Sequence, residues 1–136
     1  MIASTASSAL AAAASPADAA VIDEDHLGRM TLGDRQLERE VLEIFVRQTV
    51  IMLERIAGAE PALAAATAHT LMGSARGIGA WRVARAAERL EQAAGGKSGA
   101  AELDLELDLA VEELKAATIE ASAAIAVRLG RDLRDH

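Results

Sequence analysis

The sequence predicts an all-α fold, and three observations predict it: composition, scarcity of proline and helical periodicity. Ala, Leu, Val, Ile and Met supply most of the apolar residues, whereas the aromatic residues are Phe45 and Trp81 and the prolines are Pro16 and Pro61. Sheets favour β-branched and aromatic residues and need frequent turns, so this composition favours packed helices. A chain of 136 residues fits one domain with a single core.

Charge and missing residue types exclude several function classes. The net charge is -7 and no block of Lys or Arg occurs, which argues against a nucleic-acid partner because phosphate binding needs a basic face. The absence of Cys excludes disulfides, thiolate metal sites and Cys nucleophiles. No apolar stretch reaches the roughly 18 to 20 residues of a membrane-spanning helix. We therefore expect a cytoplasmic monomer with protein partners.

Three segments are expected along the chain. Residues 1–20 form an Ala- and Ser-rich leader that we expect to be disordered, residues 21–129 carry the helical pattern, and residues 130–136 form a polar tail. The run 9–14 is similar to the apolar part of a secretory signal. No Lys or Arg precedes Arg29, however, and the missing basic start disfavours export.

Acidic residues place the first two helices. Acidic residues from Asp23 onward, ahead of Leu27, predict a short first helix. Asp34 is the expected N-cap of a long second helix that Gly58 closes. The apolar stripe of this second helix is wider than one face needs, so the helix is either central in the fold or offers surface to a partner.

Proline and glycine delimit the next two helices. Pro61 begins a third helix that ends near Ile78, and a fourth runs from Trp81 to about Ala94. The glycine-rich residues 95–99 follow as a flexible loop. This loop lacks the first glycine and the preceding strand of a phosphate-binding loop, which disfavours a nucleotide site.

The last segment carries two conflicting patterns. Residues 102–109 alternate acidic residues with Leu, which alone would indicate a strand. From Leu107 onward the apolar residues recur at helical spacing, and a lone strand would have no partner. We therefore predict one helix from about Asp104 to Arg128.

The third helix carries the candidate chemistry at His69. At about 100° per residue, the core-facing positions are Ala64, Thr67, Leu71, Ala75 and Ile78. His69 then points outward. Its neighbours on the outer face are Ala62, Ala65, Ala66, Met72, Gly73 and Arg76. These side chains are mostly small, whereas solvent-facing helix positions usually carry long polar residues.

Gly73 lies one turn after His69 on the same face. A glycine in mid-helix costs roughly 1 kcal/mol relative to alanine, and its missing side chain leaves room for a large group to approach. An uncovered imidazole, largely unprotonated near neutral pH in its ordinary state, suits group transfer between two proteins. The alternative is an ordinary surface histidine in an alanine-rich sequence.

His69 is followed by Leu71 at two residues, Gly73 at four and Gly79 at ten. This pattern closely resembles the signature of histidine phosphotransfer (HPt) domains of multistep bacterial phosphorelays. The similarity extends over about residues 21–94.

The resemblance implies an antiparallel four-helix bundle with a short additional N-terminal helix and His69 as the phosphoacceptor. The implied partners are receiver domains of response regulators and hybrid histidine kinases, which supply Mg²⁺. The chain itself is expected to bind no cofactor or metal and to have no ATP-dependent kinase activity. The expected docking surface comprises Phe45, Met52, Ala65, Ala66, Met72 and Gly73.

Met72 departs from the family pattern, which usually has Lys three residues after the histidine. A cation there would stabilise the phosphoryl charge, and Arg76, on the same face two turns after His69, is the expected substitute. The departure keeps open an HPt-like interaction module that binds partners without transfer. A dimerising segment of a histidine kinase is disfavoured, because the sequence around its histidine differs. A metal site at His26 is also disfavoured, since its acidic neighbours point in different directions on a helix.

Overall fold

The computed structural model describes residues 20–96 and 99–134, which form helices joined by short connections. The helices are α1 (Glu24–Met30), α2 (Arg35–Ile56), α3 (Pro61–Ile78), α4 (Trp81–Ala94) and α5 (Ala100–Arg134). These residues contain no strand, so the all-α class is confirmed. No helix among them is long and apolar enough to cross a membrane. The expected leader lies outside the described residues except for Ala20.

Aspartate side chains cap the first two helices, and the sequence predicts the cap at Asp34. The Asp23 side chain accepts a hydrogen bond of 3.1 Å from the backbone N–H of His26. Asp34 accepts one of 3.1 Å from the N–H of Leu37. Each bond satisfies an N–H group that has no partner within its own helix, so the cap residues fix where α1 and α2 start.

Helix α5 is longer than the sequence pattern indicates. It begins at Ala100 and continues to Arg134, through most of the expected polar tail. Its alternating leucines face two sides, because residues two apart on a helix differ by about 200°. Leu107 packs against the core, whereas Leu105 and Leu109 are 60% and 63% exposed. The alternation therefore reflects a helix with apolar residues on opposite faces.

Helices α2 to α5 form the four-helix bundle, and the short α1 packs against α3. Helix α3 lies between α2 and α4, and α5 packs against α4 and α2, so α3 and α5 occupy opposite corners. The largest fully buried side chains are Leu27, Leu42, Phe45, Leu71, Val83, Leu90, Leu114 and Ile125. This architecture confirms the bundle with a short extra helix that the resemblance implies.

Asp23 also connects α1 to the turn between α3 and α4. The indole Nε1 of Trp81 donates to Asp23 Oδ2 at 2.9 Å, and the Asp23 N–H donates to the Gly79 carbonyl at 3.0 Å. The bond from Trp81, and secondarily the one from the His26 backbone, lower the pKa of the Asp23 carboxyl. The carboxylate therefore adds stability above its unfolded pKa of about 3.9. That contribution is lost as the pH falls through the lower folded value.

We expect Gly79→Ala to lower the free energy of unfolding by about 2–4 kcal/mol. Gly79 has a φ of +78°, and a Cβ atom there would lie 2.8 Å from Asp23 Cβ and 3.0 Å from Asp23 O. Both the left-handed backbone and the close approach exclude a side chain. Urea unfolding of the purified chain measures the loss.

Gly77→Ala is the matched control for this prediction. Gly77 lies within α3, and a Cβ atom there would meet nothing within 4 Å. The control variant should keep wild-type stability or gain up to about 1 kcal/mol. Equal stabilities of the two variants would show that Gly79 is not constrained as described.

Candidate functional site

The candidate site lies on α3, a regular helix with a defined start and end. Pro61 occupies its first turn, where a missing N–H is harmless, and Gly79 ends it in the left-handed conformation. Five predicted core positions, Ala64, Thr67, Leu71, Ala75 and Ile78, are buried. His69 is therefore presented from the middle of a rigid element, with its side chain 65% exposed as the helical wheel predicts.

The imidazole of His69 is held by a carboxylate on the neighbouring helix. Its Nδ1 lies 2.9 Å from Oε2 of Glu91 on α4. An ionised carboxylate can only accept a hydrogen bond, so this contact places a proton on Nδ1. In the neutral ring the lone pair is then on Nε2, which makes Nε2 the nucleophilic nitrogen.

The two sides of His69 differ. On the α4 side, Glu91 contacts the imidazole and Glu88 lies 4.0 Å from the Arg76 guanidinium. On the α2 side, Ser74 donates a hydrogen bond of 3.5 Å to Oε1 of Gln48. Because the acidic side chains of α4 flank one side, the uncovered approach to the imidazole runs over α3 toward α2.

Small residues keep this approach open. Gly73 is exposed, and a Cβ atom built on it would meet nothing within 4 Å. Nothing within the described chain therefore requires glycine at this position, although glycine destabilises a helix. Ala66, one turn before His69, is also exposed, and Ala65 is half-buried.

Three residues expected in the docking surface are buried, and that expectation is wrong for them. Phe45 is 2% exposed, Met52 is 8% exposed and Met72 is 7% exposed. Successive residues of a helix differ in direction by about 100°, and this rotation turns Phe45 and Met52 toward the core. Their neighbours Ile44 and Ile51 are the exposed residues, at 44% and 48%.

Met72 is buried for a different reason. It lies about 60° from His69 on the wheel, on the side of α3 that α4 covers. The sequence places it at the edge of the outer face, and the packing of α4 turns that edge into core. Position 72 therefore belongs to the interface between two helices of the bundle.

Arg76 is placed as expected on the exposed face of α3. Its side chain is 54% exposed, and its guanidinium faces Glu88. Its backbone carbonyl lies 2.7 Å from His26 Nε2, and the His26 ring contacts the Trp81 ring with centroids 4.8 Å apart. His26 therefore connects α1 to the end of α3.

Glu91 and Glu88 are site residues that the sequence reasoning missed. A signal was available: the two-residue connection Gly79-Ala80 makes α3 and α4 an antiparallel pair. Residues equally distant from such a turn lie opposite each other. His69 and Glu91 are nearly equidistant from it, so this signal points to Glu91, whereas Glu88 lies about five residues farther from the turn than Arg76 does.

Among residues 20–96 and 99–134, no group of three His, Cys, Asp or Glu side chains could hold a metal ion. The glycine-rich loop after α4 is described only in part, since residues 97–98 lie outside these ranges.

The fold and the site define a helical bundle that exposes a histidine side chain on an outer helix face. Residues 40–117 match the family model described as Hpt domain, which is more than half of the chain. The chain therefore belongs to the Hpt domain family, as the resemblance indicates. No curated protein and no solved structure matches it. The matched segment contains His69, Glu91 and all of α3 and α4.

Proposed function

We propose that the chain is a histidine phosphotransfer protein of a two-component phosphorelay. His69 accepts a phosphoryl group from an aspartate of one receiver domain and passes it to an aspartate of another. One observation carries this proposal: an exposed imidazole, with Nδ1 held by Glu91, lies beside the open surface at Gly73.

In the transfer step, bonds form and break only at the imidazole and the phosphorylated aspartate. The Nε2 lone pair attacks phosphorus, the N–P bond forms, and the P–O bond to the aspartyl group breaks, releasing a free carboxylate. The ring keeps its Nδ1 proton and becomes cationic, and the Glu91 carboxylate stabilises that positive charge. Reversal of these bond changes on a second receiver restores the neutral ring and the original site.

The receiver is proposed to dock over α2 and α3. Ile44 and Ile51 lie one turn on either side of Gln48, which contacts α3 at Ser74. These two exposed apolar side chains replace Phe45 and Met52 in the docking surface. Gly73 and Ala66 then provide the flat part of the surface next to His69, and apolar contacts at its centre would exclude water.

The proposed partners are receiver domains of response regulators and of hybrid histidine kinases in the cytoplasm. The Mg²⁺ ion that neutralises phosphoryl charge is proposed to be held by the receiver, and this chain contributes no ATP site. This chain contributes the nucleophile, the charge stabilisation by Glu91 and the docking surface.

The test is a transfer assay with a phosphorylated receiver and the purified chain. The proposal predicts label on the chain that is labile in acid and stable in base, together with loss of label from the receiver. It also predicts that a second, unphosphorylated receiver takes the label from the chain. A chain that binds receivers and never acquires label contradicts the proposal.

A specific observation favours a second candidate, an interaction module that binds receivers or kinase domains without transfer. Position 72 carries a buried methionine where the family usually has a lysine, and the carboxylate of Glu91 contacts His69. Both features disfavour the extra negative charge of a phosphoryl group. Receiver binding without label in the same assay would favour this candidate.

We expect Glu91→Ala to slow transfer in both directions by roughly tenfold to a hundredfold. The variant loses the acceptor that orients the ring and stabilises its positive charge. Glu102→Ala is the matched control, because Glu102 is an exposed carboxylate on α5, at the opposite corner of the bundle from α3. Nitrogen NMR of the imidazole provides a second readout: Glu91→Ala should populate both neutral tautomers, whereas wild type should favour the Nδ1–H form. An unchanged tautomer ratio would contradict the positioning role.

Arg76→Ala should slow phosphoryl transfer more than it weakens receiver binding. The guanidinium is the cation nearest in sequence to His69 on the same face of α3, and it can offset phosphoryl charge beside the two glutamates. Single-turnover rates and receiver affinity measure the two effects separately. Arg85→Ala, on the side of α4 that faces α5, matches the change in charge. Equal transfer rates in wild type and Arg76→Ala would contradict a role of Arg76 in stabilising the phosphoryl charge.

A further inference from the structure

The outward face of α5 carries an apolar stripe that the described residues do not cover. The α5 stripe is defined by positions that recur at alternating intervals of four and three residues from Leu105 to Gly130. Leu105, Leu109 and Ile119 in this stripe are 60%, 63% and 69% exposed. Leu114, on the opposite side of the helix, is fully buried. Helix α5 is therefore apolar on two opposite faces, and the bundle uses one of them.

The spacing of the α5 stripe is that of a two-helix seam, in which every position faces a partner helix. If a second α5 is laid antiparallel about a point between residues 117 and 118, each stripe position of one copy meets a stripe position of the other. In the outer layers Leu105 meets Gly130, and Leu109 meets Ala126. A large side chain thus lies opposite a small one in both layers.

The inner layers repeat this size complementarity. Glu112 meets Ala123, and Ala116 meets Ile119. The Glu112 side chain is 72% exposed and lies 3.4 Å from Lys115 Nζ, so its aliphatic part can pack while its carboxylate stays at the edge of the seam. A parallel arrangement would instead place Glu112 against Glu112 and leave small residues facing small ones.

Charge also favours the antiparallel arrangement. Residues 101–114 contain six acidic and no basic residues, whereas residues 115–131 contain three basic residues and one acidic one. One of the three, Arg128, pairs with Glu24 and Glu38 of its own chain. Antiparallel helices place the acidic half of one copy beside the basic half of the other. Parallel helices would place the two acidic halves together.

We infer that the α5 stripe binds a second copy of this chain and forms an antiparallel homodimer. This replaces the monomer expected from the sequence. Helix α3 lies at the opposite corner of the bundle from α5, so both His69 side chains stay accessible in the dimer. The dimer would therefore present two separate transfer sites, and its formation does not depend on phosphoryl transfer.

Sedimentation equilibrium of the full chain tests this inference. Wild type should associate to a dimer as its concentration rises to about 100 µM, and Ile119→Glu should raise the dissociation constant at least about tenfold. Glu112→Leu should lower it. Val50→Glu is the matched control, because Val50 is a 55% exposed apolar residue on α2, and it should leave the dimer unchanged. Circular dichroism checks that each variant is folded.

The orientation is tested by cross-linking, which is clean because the chain has no native Cys. Leu109→Cys and Ala126→Cys chains should form disulfide-linked dimers when mixed, and neither should do so efficiently alone. Efficient self-linking of Leu109→Cys would indicate a parallel pair and overturn the arrangement. A wild-type chain that stays monomeric at all concentrations overturns the dimer, whatever else covers the α5 stripe.

Discussion

His69→Gln is expected to abolish phosphoryl acceptance, with a loss of at least about a thousandfold in rate. Glutamine keeps a polar side chain of similar length, but its amide nitrogen has no available lone pair to attack phosphorus. The fold should be unaffected, because the histidine side chain is 65% exposed and contacts only Glu91 among the described ion pairs. The rate is measured as label appearing on the chain after mixing with a phosphorylated receiver.

His26→Gln is the matched control for this substitution. His26 makes a structural contact of 2.7 Å between its Nε2 and the Arg76 carbonyl, so the variant should lose stability and keep its ability to accept label. Transfer to His69→Gln at the wild-type rate would contradict the assignment of the phosphoacceptor.

Gly73→Trp is the second substitution with a large expected effect, a loss of at least about a hundredfold in transfer from a receiver. The indole would occupy the approach beside His69 and keep the aspartyl phosphate from reaching Nε2. The isolated chain should still fold, because a Cβ atom at position 73 meets nothing within 4 Å. Phosphoramidate, a small phosphoryl donor, should still phosphorylate His69, which separates blocked docking from lost chemistry.

Gly73→Ala is the control for Gly73→Trp, because it adds only a small side chain at the same position. Alanine stabilises a helix relative to glycine by up to about 1 kcal/mol, so this variant should be more stable than wild type and should retain most of its transfer rate. Wild-type transfer by Gly73→Trp would show that the partner does not approach over this face of α3.

Much of α3 could be predicted from the sequence because its end signals and its apolar periodicity indicate the same helix. Pro61 and Gly79 mark its ends, and the periodic apolar residues define its buried face, so the exposure of His69 follows from rotation alone. The same rules succeed for the N-cap at Asp34. Each of these features depends on residues that are close in sequence.

The parts that failed depend on contacts between helices. Helix α2 has apolar residues around much of its circumference, so its sequence does not say whether Phe45 or Ile44 faces the core. Met72 is buried by α4, and Glu91 reaches His69 from α4. These outcomes follow from the tertiary packing of α3 against its neighbours, although the short turn at Gly79 could have indicated the second of them.

Phosphorus and nitrogen NMR of the chain, after incubation with a phosphorylated receiver, tests the proposed function most directly. The expected result is one phosphohistidine signal, assigned to Nε2 of His69, that disappears when an unphosphorylated second receiver is added. Absence of any phosphohistidine, or its assignment to a residue other than His69, would contradict the proposal.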